Sequence, residues 1–110
     1  MKYFNESLFA VTVCDEKGII VYMNDKSHKT FEKDGGSALI GKSLMDCHPE
    51  PAKSLLTKML IENNENSYTI EKNGVKKLIH QTPWFEDGKF KGYIELALVI
   101  PAEMPHFIRK

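Results

Sequence analysis

Cys47 and His48 are the residues whose types most readily support chemistry. Thiolate and imidazole ligate soft and borderline metals, and a cysteine at a helix N-terminus can have its pKa lowered. Adjacent side chains rarely hold one metal together, and the second pair at the usual spacing of about two to four residues is missing. No metal site is expected. The plainer reading packs Cys47 and lets His48 orient the turn before Pro49; the alternative sets both against a ligand or makes Cys47 a redox group.

Other candidates are weaker in the same way. His80 and Gln81 are consecutive on a strand-like run, so one of them must face inwards, where a polar side chain needs a protein, water or ligand partner. Asn24 and Asp25 read as a helix-capping pair, with contact to a ligand as the alternative. Tyr22, Phe31, Leu56, Met59 and Trp84 are candidates to line a pocket for a planar or apolar molecule, against the plainer reading as core. Cys14 closes a strand and reads as a small core residue.

No GxSxG, Walker-type GxxxxGK, GxGxxG or HExxH motif is present. An enzyme is not expected, and His48 or His80 acting as acid or base is the residual alternative. The 110 residues carry 15 basic and 15 acidic side chains, and the basic set holds one arginine, Arg109. Nucleic-acid readout favours clustered arginine, so that partner class is not expected. No run approaches the roughly 18 apolar residues of a membrane span, and the first residues lack a signal-peptide plan. Two cysteines are too few for a disulfide framework. These features predict one cytoplasmic domain over residues 1–110.

The elements that must position these residues are legible as periodicities. Residues 8–14 and 19–23 are β-rich runs joined by Asp15-Glu16-Lys17-Gly18, a hairpin pattern. The stretch from Asn24 to Met45 breaks at Gly35-Gly36 and fits short helices. Ala52, Leu55, Leu56, Met59 and Leu60 form the apolar stripe of one longer helix ending near Asn63-Asn64. Asn73-Gly74 and Asp87-Gly88 then separate three more strand-like runs. In the last run Ile94, Leu96, Leu98 and Ile100 are expected to face the core. Tyr93, Ala97 and Val99, on the other face with Glu95, are the expected interface. Strands at both ends with helices between them indicate an antiparallel α+β sheet.

This order resembles the PAS domain, over roughly residues 7–101, which implies a core there and a tail at 102–110. The segment from Ala10 to Asn24 is similar to the family's opening hairpin, which ends at an asparagine, and Asp87 to Glu95 is similar to its final hairpin. Gly41 to Pro49, with Cys47-His48-Pro49 before an amphipathic helix, resembles a subgroup found in bacterial sensor proteins. The resemblance implies a five-stranded antiparallel sheet with short helices and one longer helix packed on one face.

It further implies a bacterial sensor or interaction module. Such a module binds a small ligand or cofactor between sheet and helices and signals through a homodimer or a partner protein; the alternative is a ligand-free interaction domain. Haem-binding members have a Pro-Glu-Pro similar to Pro49-Glu50-Pro51 and a ligating histidine a few residues into the helix. Ala52 to Leu60 holds no histidine, so haem is not supported. The Asn-Cys-Arg-Phe-Leu segment of flavin-binding members is also missing around Cys47, so flavin is not supported and the cofactor is left unknown. The chain ends ten residues after Ile100, which leaves open action in trans or a longer parent chain.

Overall fold

The structure is a computed structural model that describes residues 2–47 and 50–110, apart from the side chain of Cys47. The expectations placed on the Cys47 side chain and on His48 lie outside the described residues. A one-turn helix, α1 (Lys2–Asn5), leads into the hairpin β1 (Ala10–Asp15) and β2 (Ile20–Met23). The Asp15 carboxylate closes that turn by accepting the backbone N–H groups of Lys17 and Ile19, both at 2.9 Å.

Three short helical pieces follow: α2 (Asp25–Thr30) and two 3-10 turns, Glu32–Asp34 and Gly36–Leu39. Then come α3 (Leu44–Cys47) and the longest helix, α4 (Ala52–Glu62), which stops where Asn63 takes the left-handed conformation. The remaining chain is β3 (Asn66–Lys72), β4 (Val75–Glu86) and β5 (Lys89–Ile100). Both residues of Asn73-Gly74 and of Asp87-Gly88 have positive φ, as two-residue hairpin turns require.

The strands form one antiparallel sheet in the order β2-β1-β5-β4-β3, so the expected α+β class and five-stranded sheet are present. β1 is an interior strand and is buried on both faces at Ala10, Val11, Val13 and Cys14. Its register sets Thr12 opposite Glu95 and Cys14 opposite Tyr93. Across β4 and β5, Gln81 lies opposite Glu95, and across β3 and β4, Asn66 lies opposite Gln81. Paired residues share a face, so Thr12, Glu95, Gln81 and Asn66 form one row across four strands.

That row is on the helical side, which corrects one expectation. Tyr93 and Ala97, expected at an interface, share the parity of Glu95 and face α4; Tyr93 is only 7% exposed. Val99 has the same parity but lies towards the strand end and is 58% exposed. Ile94, Leu96, Leu98 and Ile100, expected to be core, are on the opposite face, where they are half-buried. Alternation separates the two sets of a strand but does not say which set meets the helices when both are apolar.

Candidate functional site: a cavity between α4 and the sheet

Between α4 and the helical face of the sheet lies a cavity of about 600 Å³. Its roof is the stripe Ala52, Leu55, Leu56, Met59 and Leu60, continued at one end by Met45, Leu44, Leu39 and Phe31. The floor is sheet: Thr12 and Cys14 of β1, Tyr93 and Glu95 of β5, Gln81 of β4, and Asn66 and Tyr68 of β3. Ile20, Met23 and Leu39, which also line it, form a small buried cluster, with Phe31 and Leu44 packed on that cluster.

Polar groups on the floor are connected. Asn66 Nδ2 donates to Gln81 Oε1 at 3.0 Å, and Gln81 Nε2 donates to Glu95 Oε2 at 2.8 Å. Thr12, opposite Glu95, shares a 2.6 Å hydroxyl contact with Ser27 of α2, which is fully buried. The Tyr93 hydroxyl donates to the Met59 carbonyl at 2.7 Å, with the Asn64 carbonyl at 3.0 Å. Burial pushes the Cys14 thiol and the Tyr93 and Tyr68 phenols above their ordinary pKa values. Cys14 is free and buried, so near neutral pH it lines the cavity as a thiol.

No protein-family model matches the sequence, and no curated protein matches it. Solved structures do match. The PAS domain of BvgS from Bordetella pertussis aligns with a TM-score of 0.66 at 18% identity, over 91% of this chain and 82% of that one. The Aer2 receptor from Vibrio cholerae, described as a dual PAS-heme oxygen sensor, aligns at 0.61 and 16% identity, over 84% and 95% of the two chains. The fold is that of a PAS domain. A sensory box sensor histidine kinase from Vibrio cholerae aligns as well, at 0.60 and 16% identity over 93% and 89%.

Set in the PAS fold, the candidates divide. Of them, Phe31, Leu56, Met59 and Gln81 line the cavity. Three others are corrected. Tyr22 is opposite Val13, on the face away from α4, and its hydroxyl donates to Asn5 Oδ1 at 2.6 Å. His80 has the parity opposite to Gln81, and its ring contacts Ser67 Oγ at 2.6 Å and Glu65 Oε2 at 3.1 Å. Trp84, opposite Gly92, donates its indole N–H to the Cys14 carbonyl at 3.2 Å instead of lining the PAS cavity.

Asn24 is 1% exposed and caps α2, and it does not line the cavity. Its Oδ1 accepts the N–H groups of Val11 at 2.9 Å and Ser27 at 3.0 Å. Thr12, Asn66, Tyr68 and Glu95 were missed as lining residues. For Asn66 and Tyr68 the signal was register: with Gln81 inside, the Asn73-Gly74 turn sets Asn66 beside it. Glu95 had no such signal, because only the register shift between Trp84 and Phe85 puts it, and not Ile94, opposite Gln81.

Among the described residues, no group of three His, Cys, Asp or Glu side chains is placed to hold a metal, and no helix is long and apolar enough to cross a membrane. No described histidine lines the PAS cavity. Its described soft donors are the sulfurs of Met23, Met45, Met59 and Cys14.

Proposed function

We propose that this chain is a sensor module of signal transduction, which takes a small ligand between α4 and the sheet and passes its occupancy to a partner protein or a second copy. One observation carries the reading: a hydrogen-bonded polar row crosses the floor of a cavity of about 600 Å³ under an apolar roof. A few fixed polar groups within an apolar concavity are the usual make-up of a small-molecule site. The fold likeness to a sensor histidine kinase and a receptor supports the signalling role.

Ligand binding would act by population shift, through different affinities for two packings of α4 against β5. The output surface is the outer face, where Ile94, Leu96, Leu98 and Ile100 make an apolar row that is only half-buried. That row also favours a second reading, a ligand-free interaction domain. No catalytic role is assigned to any residue.

Protein purified from cells, examined by absorption spectrum and native mass, tests the reading directly. A chromophore band or unexplained bound mass that disappears in Leu56→Trp, which fills the cavity, is the expected result. If nothing co-purifies, a metabolite and cofactor panel should raise the melting temperature of the parent and not of Leu56→Trp. A panel that shifts neither protein, together with a dimer mass lost in Leu98→Glu, overturns the ligand-binding reading in favour of the interaction domain.

A further inference from the structure

The cavity has a charge sign. Its described lining includes the carboxylates of Glu95 and Asp34 and no lysine, arginine or histidine, although the chain holds 15 basic residues. Glu95 is on β5, the central strand of the sheet, and Asp34 is exposed at the edge of the cavity. The Glu95 side chain is tied at 2.8 Å to Gln81, a neutral amide that lends it a donor and no charge. Asn66 holds the other end of that amide, which fixes the direction of the donor.

A carboxylate can accept several hydrogen bonds, and in a low-dielectric pocket it attracts a cation far more strongly than it would in water. Tyr68 and Tyr93 also line the cavity, and aromatic rings add to the attraction for a cation. The leucine and methionine roof suits a hydrocarbon body. An anionic ligand would be desolvated against like charge with no compensating cation in the described lining.

We infer that the cavity selects organic cations with an apolar body, amphiphilic amines anchored by the Glu95 carboxylate under α4. The inference rests on the ligand-binding reading above and adds the sign of the ligand's charge.

Three probes of one size and shape, 4-phenylbutylamine, 4-phenylbutanol and 4-phenylbutyrate, test it by calorimetric titration of the full chain at pH 7. The amine is expected to bind about tenfold tighter than the alcohol, and the butyrate weakest. In Glu95→Gln, which keeps shape and hydrogen bonding, amine and alcohol should bind within about twofold of each other. An unchanged melting temperature for Glu95→Gln shows that the fold persists; should it drop, parent protein titrated at rising salt gives the same discrimination, since only amine binding should weaken. Alcohol or butyrate binding as tightly as the amine overturns the charge inference and leaves the ligand-binding reading standing. Binding by none of the three overturns the charge inference as well, while the ligand-binding reading stands or falls on the co-purification and panel experiment above.

Discussion

The Tyr93 hydroxyl on β5 donates to the carbonyl of Met59 on α4 at 2.7 Å, joining the central strand to the last turn of the cavity roof. The same carbonyl accepts the N–H of Asn63, the residue that ends the helix, at 2.8 Å. Sheet and roof therefore meet at the point where α4 terminates.

Tyr93→Phe should cost about 1 kcal/mol, the net value of one hydrogen bond, because the ring still fills its place. The loss should appear locally. Amides in the last turn of α4 are expected to exchange about fivefold faster while those of β1 are unchanged. Uniform acceleration across the chain would show that the bond supports global stability and not the seating of the roof.

Asn24→Ala removes the acceptor for two buried N–H groups, those of Val11 and Ser27. A loss of about 3 kcal/mol is expected from the cap and the unsatisfied donors, lowering the melting temperature by roughly 10 to 20 °C. Asn24→Asp keeps the acceptors and loses the Nδ2 donor, so it should fall between parent and alanine. Calorimetry that ranks aspartate below alanine would contradict this division of roles.

A Cβ on Gly92 would stand 1.9 Å from the Cys14 carbonyl oxygen, inside the β1–β5 ladder, at a φ of +148°. Backbone cannot give way as a side chain can, so Gly92→Ala should cost about 3 kcal/mol or more. Gly88→Ala is the control: its φ is +77° but nothing lies within 4 Å, so about 1 kcal/mol of left-handed strain is all it should lose. Equal denaturation midpoints for the two variants would refute the steric account.

Alkaline pH should destabilise the fold. Burial is the main cause raising Cys14 above its ordinary 9.0, and Tyr93 and Tyr68 above their ordinary 10.0. Below those ordinary values both states hold the protons and the groups contribute no slope. Above them the unfolded chain binds fewer protons than the native one, so stability falls as pH rises. The melting temperature should be level between about pH 7 and 8.5 and then decline, less steeply at first in Cys14→Ala. A variant that follows the parent curve throughout would remove Cys14 from this account.

Local signals in the sequence were sufficient for the elements. The glycine turns fixed three hairpins, and the stripe from Ala52 to Leu60 fixed the roof, because each is set by the backbone preferences of a few adjacent residues. Facing was harder to read. On β5 the larger apolar set, Ile94 to Ile100, looked like core, and Glu95 looked like a mark of solvent. A hollow interior reverses that logic: the helical side is where a carboxylate finds Gln81, and the outer side is where leucines stay half-covered. His80 and Gln81 are equivalent by composition, and only pairing with β3 and β5 tells them apart. Trp84 and Tyr22 have the right chemistry for a pocket and the wrong strand parity.

The Asn24 carboxamide has a further consequence through its nitrogen, which donates to the carbonyls of Phe4 and Phe9 at 2.8 Å and lies 3.1 Å from Ser7 Oγ. Leu8 is 91% exposed, so the segment before β1 gains little from apolar burial there. Residues 2–9 form a flap held by this amide rivet and by the Tyr22 hydroxyl on Asn5. The rivet's other end is Ser27, which touches Thr12 in the cavity wall. Under force or heat this flap should peel before any strand leaves the sheet, and the event that loosens it can start from inside the molecule.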